Sequence, residues 1–197
     1  ANIVIPSAGT YNIKLFLNKP DYTYAIELAS FDSRSLFFTD GQELEIADIS
    51  QFTDGYAVTK FTNLTSTGGN PSDLTFIDTD FPLFRLADIY LTAAEAIVRG
   101  GTGGSAADAL NYVNIVRRRA YAGPGGDITS AQLTLDFLLD ERGRELLGEY
   151  KRWFDLKRTG TLVARASAYN YKIKAANFVG VDGQLKILRP IPQSALD

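Results

Sequence analysis

The 197-residue sequence contains no cysteine, no histidine and no methionine, and only one tryptophan. Without cysteine there is no disulfide, no thiolate nucleophile and no cysteine metal site, and the redox compartment leaves no mark on the composition. Without histidine, Ser-His-Asp and Cys-His catalysis, His-ligated zinc and the commonest general base near neutral pH are excluded. No apolar stretch approaches the ~18 residues of a membrane-spanning helix. The absence of methionine, and an opening Ala1-Asn2-Ile3 with neither the basic stretch nor the apolar run of a signal peptide, lead us to expect a fragment or a processed product.

What is present is ordinary globular material: 22% charged and 45% hydrophobic residues, which argues against a disordered or low-complexity chain. The length suits one domain or two small ones. The net charge of −3 is unevenly placed. Residues 1–80 carry four Lys/Arg against eleven Asp/Glu, and residues 81–197 carry sixteen against twelve. The modest positive excess sits on segments that also carry carboxylates, so it reads as attraction between the halves, or toward other parts of a larger protein. No nucleic-acid partner is expected from it.

Residues 1–80 read as a loop-rich segment with short strands and a possible ligand-binding region. Ser35-Leu36-Phe37-Phe38-Thr39 runs into the turn signal Asp40-Gly41. Thr53-Asp54-Gly55-Tyr56 is a second such turn, followed by the short strand candidate Ala57 to Phe61. The character changes near Phe81-Pro82. Leu83, Leu86, Tyr90, Ala94 and Ile97 fall at helical spacing and predict a helix over 83–99. The run Gly100 to Gly104 stops it; no Lys-Ser/Thr follows, so it is no phosphate loop. Ser105 then stands as N-cap three residues before Asp108, and Ala106, Leu110, Val113 and Val116 carry a second helix to about Ala120. A third helix is expected from about Thr134 to Leu147, with Leu135, Leu138, Leu139, Arg142 and Leu146 on one face, then a break at Gly148 and a short segment to Arg158. The fold class is therefore mainly α: helical hairpins of tetratricopeptide type over about 83–158, with the irregular, β-containing N-terminal segment packed on them. Residues 159–197 read as mixed and polar. Their Leu188-Arg189-Pro190-Ile191-Pro192 must be extended, since prolines lack the amide donor.

The densest charged cluster is Asp140-Glu141-Arg142-Gly143-Arg144-Glu145, followed by Glu149, Arg152, Asp155 and Arg158. Glu141 and Glu145 lie one helical turn apart on one face. Paired carboxylates are the machinery of glycoside hydrolysis, but such a pair must flank a substrate across ~5–9.5 Å of open space. Glutamates interleaved with arginines on one helix suit ion pairs between packed helices instead. The expected structural network is Arg85, Glu95, Arg117, Glu141, Arg144, Glu145, Glu149, Arg152 and Asp155. Arg117-Arg118-Arg119, at a helix C-terminus, reads as dipole compensation and ion pairing to the third helix. The acidic stretch Asp40 to Asp54 lacks the spacing of a calcium loop, and no metal or cofactor is expected. Trp153 reads as a packing residue. For a ligand, Tyr22 and Tyr24 alternate in an extended segment beside Asp21 and so face one side. These three residues and Tyr56 are the binding candidates, as aromatic faces that stack on sugars with a carboxylate to accept a hydroxyl.

Four ordered segments resemble the RagB/SusD family of outer-membrane glycan-binding lipoproteins. They are Phe84-Arg85-Leu86-Ala87-Asp88-Ile89-Tyr90-Leu91-Thr92-Ala93-Ala94-Glu95-Ala96; Leu110 to Asn114 with Val116-Arg117-Arg118-Arg119-Ala120; Asp140 to Leu146 with Glu149-Tyr150-Lys151-Arg152-Trp153-Phe154-Asp155-Leu156-Lys157-Arg158; and Leu188-Arg189-Pro190-Ile191-Pro192. Thr53 to Phe61 is similar to the family's segment just upstream. The resemblance implies that 81–197 is a C-terminal helical domain of that type and that the N-terminal part of the full protein is missing. Family members are more than twice this length and begin with a lipidated cysteine. The four motifs are structural in the family, so the resemblance assigns no sugar-contacting residue.

The resemblance also implies a function: non-catalytic capture of oligosaccharide or polysaccharide at the cell surface, for delivery to a SusC-like TonB-dependent outer-membrane transporter. Membrane contact would come only through a lipid anchor that this chain lacks. Two other classes stay open at this point: a peptide- or protein-binding helical-repeat module, and a glycoside hydrolase using Glu141 and Glu145.

Overall fold

The computed structural model describes residues 32–169, apart from 45, 46, 49, 66 and 74, with side chains as far as 165. Within that span the protein is mainly helical with a small two-stranded sheet. Strand β1 (Phe37–Phe38) pairs antiparallel with β2 (Ala57–Val58), with Phe37 opposite Val58 and Phe38 opposite Ala57. The two Asp-Gly signals fall where the chain needs positive φ: Gly41 at 68° and Gly55 at 87°. Between the strands, carboxylates hold the loop together. Asp54 accepts the amides of Ala47 and Asp48, and Asp48 accepts the amide and hydroxyl of Ser50.

Helix α1 (Leu86–Val98) and α2 (Ala106–Ala120) form a hairpin. Ser105 caps α2 reciprocally: its hydroxyl accepts the Asp108 amide while the Asp108 carboxylate accepts the Ser105 amide. The core forms where small and branched residues recur at three and four. Leu91 and Ala94 of α1 meet Ala109, Val113 and Val116 of α2, and Ile128 of the loop after α2 and Leu138 of α3 (Leu135–Glu145) close the cluster. Tyr90 and Tyr112 stack across the hairpin with centroids 5.5 Å apart. The buried stripe of α1 differs from the expected one. Leu83 precedes the helix and Leu86 is its first residue, 69% and 65% exposed, whereas Asp88, Leu91, Ala94 and Glu95 are buried. The polar members of that stripe are buried because cations meet them, which a count of apolar residues does not register.

A second cluster of Leu139, Leu156 and Leu162, with Trp153 packed against it, joins α3 to α4 (Arg152–Arg158) and α5 (Leu162–Tyr169). Helix α5 lies in the part read as mixed and polar. Its short stretch is held by burial of Leu162 and Arg165 against α3. Residues 188–192 lie outside the described residues.

Asn114 holds the loop after α2 from within, while Arg117 donates to the Gly126 carbonyl and Arg118 pairs with Asp127 at its edge. Asn114, 7% exposed, donates to the Ile128 carbonyl at 3.1 Å and accepts the Ile128 amide at 2.9 Å. Asn114→Ala strands both backbone groups without water, so unfolding free energy in urea should fall by about 1–3 kcal/mol. A loss below about 0.5 kcal/mol would mean that the loop is held elsewhere.

Candidate functional site

Two features of the described residues have the chemistry of a site: a network of buried charges under the sheet, and a group of exposed aromatic rings beside it.

The network starts from α3. Its two glutamates project toward the C-terminus of α2 and toward the loop before β1. That loop is tied down by the Ser33 amide, which donates to the last carbonyl of α2, Ala120, at 2.9 Å. Asp32 then fixes Arg34 through Nε at 2.8 Å and Nη2 at 2.6 Å. Arg34 is thereby aimed at α3, where Nη1 donates to Glu141 at 2.7 Å and Glu145 at 3.3 Å. Glu141 is fully buried and also accepts Arg117 Nη1 at 2.7 Å and Arg144 Nε at 2.8 Å. Glu145 accepts Arg85 Nη1 at 3.0 Å and Arg119 Nη2 at 2.6 Å. Glu149 accepts Arg85 Nη2 at 2.7 Å and the Lys60 ammonium. Lys60 Nζ and Arg85 Nη2 each also donate to the Glu145 carbonyl at 2.9 Å, so two cations satisfy the end of α3, where its dipole is negative.

These contacts set the ionisation. Burial pushes the Glu141 carboxyl up, but Arg144, Arg34 and Arg117 together outweigh it and hold it down to about 2. Burial acts the same way on Glu149, and Arg85 and Lys60 pull it below its ordinary value. Burial also pushes the Lys60 ammonium down, only partly countered by Glu149. A glycosidase acid needs the opposite, a carboxyl raised so that it holds a proton. One guanidinium, Arg34, spans Glu141 and Glu145, so no sugar fits between them.

A second network lies on the far side of α3. Glu95 accepts Arg99 Nε at 2.8 Å and Arg158 Nη2 at 2.7 Å. Asp155 accepts Arg158 Nη2 at 2.8 Å and Arg142 Nε at 2.9 Å, and Arg142 reaches Asp88 at 2.8 Å. The structure thus divides the nine charged residues singled out above. Arg85, Arg117, Glu141, Arg144, Glu145 and Glu149 lie in the first network, and Glu95 and Asp155 in the second. Arg152 donates to the Leu139 carbonyl at 2.7 Å and pairs with Asp140 at 3.5 Å. Sequence reasoning missed Asp32, Arg34, Lys60 and Asp88 as partners. The Asp-x-Arg spacing of 32 and 34 is a local turn signal, but nothing in it indicates a contact with α3.

Of the binding candidates, Asp21, Tyr22 and Tyr24 lie outside the described residues. Tyr56 is half-buried at the entry to β2. Exposed rings occur in both halves, not in 1–80 alone: Phe52 is 84% exposed and Phe76 74%, but so are Phe84 at 80% and Tyr150 at 82%. Phe61, Phe81 and Tyr150 form a contiguous platform with centroid spacings of 6.4 and 5.6 Å. Tyr150 has φ +56°, a left-handed conformation that costs a bulky residue about 1–3 kcal/mol. It is held there between Gly148, whose φ is +75°, and Lys151, whose ammonium donates to the Leu83 carbonyl at 2.9 Å. The rings are tilted by 35° and 46° to one another, and an exposed aromatic ring with a hydroxyl at its edge can stack on a planar or pyranose surface. Tyrosine carries no sequence signal for positive φ, which is why the position was not singled out. Among the described residues no cluster of acidic side chains is arranged to hold a metal ion.

A family model described as the SusD family matches residues 30–197. The starch-binding protein SusD of Bacteroides thetaiotaomicron is 35% identical over 173 residues, which cover 86% of this chain and 30% of that protein. SusD-like protein P2 of Formosa agariphila is 33% identical over 106 residues, 50% of this chain and 20% of that protein. Among solved structures, surface glycan-binding protein A from Bacteroides thetaiotaomicron in complex with laminarihexaose superposes with a TM-score of 0.56 at 26% identity, over 86% of this chain and 37% of that one. The chain therefore spans under two fifths of the length of these relatives.

Proposed function

The chain belongs to the SusD family, and from that membership we propose that it is part of a non-catalytic protein that binds oligosaccharides at the cell surface and hands them to a SusC-like TonB-dependent transporter in the outer membrane. The match along 30–197 carries the reading. Starch and laminarihexaose, named with two of the relatives, are both glucose polymers, so neutral glucans are the first ligands to test. The charged networks hold the scaffold, and the aromatic faces contact the sugar: Tyr22 and Tyr24 with Asp21, then Tyr56, with the Phe61–Phe81–Tyr150 platform as a further stacking surface. Glu141, ionised and enclosed by three arginines, has no proton to give a leaving group, which favours binding without turnover.

Calorimetric titration with laminarihexaose and maltohexaose, alongside a reducing-sugar assay, tests this. Saturable binding with no product released is expected. Tyr22→Ala with Tyr24→Ala should weaken binding at least about tenfold, equivalent to ~1.4 kcal/mol, with an unchanged circular dichroism spectrum. Unchanged affinity in that folded double variant would move the site to Tyr56 or to the Tyr150 platform. Product release that is lost in Glu141→Gln would overturn the non-catalytic reading. Capture of peptides with neither glucan bound would replace it with a peptide-binding one.

A further inference from the structure

The first charged network is not balanced. Among the described residues, Arg34, Lys60, Arg85, Arg117, Arg119 and Arg144 meet only Asp32, Glu141, Glu145 and Glu149, two cations in excess of the carboxylates. The carboxylates are fully engaged. Glu141 is shared by three guanidiniums, both oxygens of Glu145 are taken, and Arg85 and Lys60 occupy Glu149. The unused capacity is therefore on the donors. A guanidinium presents five N–H groups. Arg144 uses Nε on Glu141, and among the described residues neither of its Nη groups has a hydrogen-bond partner, although its side chain is only 11% exposed. The ring of Phe137, 5.4 Å from its guanidinium carbon, braces it. Arg119 commits only Nη2, to Glu145, and is 57% exposed.

Both guanidiniums line one cleft. It has a volume of about 110 Å³, and Ser33, Arg34, Lys60, Arg85 and Glu145 complete its polar wall. A single water requires only ~10–15 Å³ on this measure, so there is room for a small polyatomic group. Excess positive charge with planar N–H donors left over on the wall, one of them, Arg144, largely withdrawn from water, is the condition under which an oxyanion binds: it gains charge-assisted hydrogen bonds and relieves the desolvation of that arginine.

We infer that this cleft binds an oxyanion of carboxylate or sulfate type, with Arg144 and Arg119 as its donors and the neighbouring cations supplying the field. The group is either a free inorganic anion or the acid substituent of a sugar. The inference stands apart from neutral-glucan binding and survives its failure.

The test is nitrogen-15 NMR of the arginine Nε–H signals in the full chain at constant ionic strength. It is titrated with sodium sulfate and with sodium glucuronate, against sodium chloride and glucose as controls. Saturable shifts of the Arg144 and Arg119 signals with at least one oxyanion, and with neither control, are expected. Saturation by sulfate alone supports an inorganic ligand, and saturation by glucuronate supports an acidic sugar. Arg144→Gln and Arg119→Gln should each weaken the binding about tenfold, the loss of roughly one good charge-assisted contact. Arg118→Gln, on a side chain paired with Asp127 outside the cleft, should leave it unchanged. Arg119 is largely exposed, so its variant keeps the test decisive even where the Arg144 variant does not fold. Linear shifts without saturation for both oxyanions, or an affinity that Arg119→Gln leaves intact, would overturn the proposal.

Discussion

Glu141→Ala should lower the unfolding free energy of the chain by about 3–5 kcal/mol, the penalty for removing one partner of a buried charge group. The size follows from what is left behind. Arg34 and Arg144 have side chains 8% and 11% exposed, Arg117 likewise 11%, and all three point at the vacated carboxylate. Arg34 retains Asp32 and a longer contact to Glu145, but Arg144 loses its one hydrogen-bonded carboxylate. The network already holds more cations than carboxylates, so the deletion raises an existing imbalance. Asp136→Ala is the contrasting control. Its side chain is 85% exposed and lies 3.4 Å from Arg165, which keeps its shorter pair to Asp140 at 2.5 Å, so the loss should change stability by less than about 1 kcal/mol. Urea unfolding of the three proteins at pH 7 reads both values. A Glu141→Ala midpoint as close to the parent as that of Asp136→Ala would mean that solvent reaches the network and that its ion pairs do not hold the scaffold.

The contrast between these carboxylates also indicates how far a sequence carries. The helical hairpin was legible because its signals are local: Ser105 and Asp108 at capping distance, glycines after Val98, small and branched residues at three and four. Ion pairing of Arg117 and Arg144 with Glu141 was legible for a similar reason, one partner lying on the same helix and the other at the end of its neighbour. Arg34 was not, because it meets Glu141 across 107 residues and only the fold brings the two together. Asp88 was overlooked on α1 because a hydrophobic pattern treats acids as surface, yet, like the expected Glu95, it is buried against an arginine. The aromatic platform depends on a tyrosine at positive φ, a conformation for which tyrosine has no propensity. The tyrosines of the N-terminal segment rest on alternation alone, and their test is binding.

Acid should unfold this protein through the same carboxylate. Glu141 has an ordinary value of 4.5 and is held down to about 2 in the folded chain, where burial alone would raise it and three arginines prevail. Between these values the unfolded chain binds more protons than the folded one, so stability rises with pH across that window. The contribution is complete above about pH 4.5 and is lost as pH falls toward about 2; at ~1.36 kcal/mol per pH unit, it amounts to about 3 kcal/mol. Glu95 and Glu149 act in the same direction. Burial raises each, and Arg158 with Arg99, or Arg85 with Lys60, outweighs burial and brings it below the ordinary value. Urea unfolding at intervals from pH 7 to pH 2 should therefore show a steep decline that begins near pH 4.5. Glu141→Gln removes the titrating group, so its curve should start lower and fall by about 3 kcal/mol less, meeting the parent curve near pH 2. Two parallel curves would show that Glu141 titrates alike in the folded and unfolded chains, and that the three arginines beside it do not hold its charge.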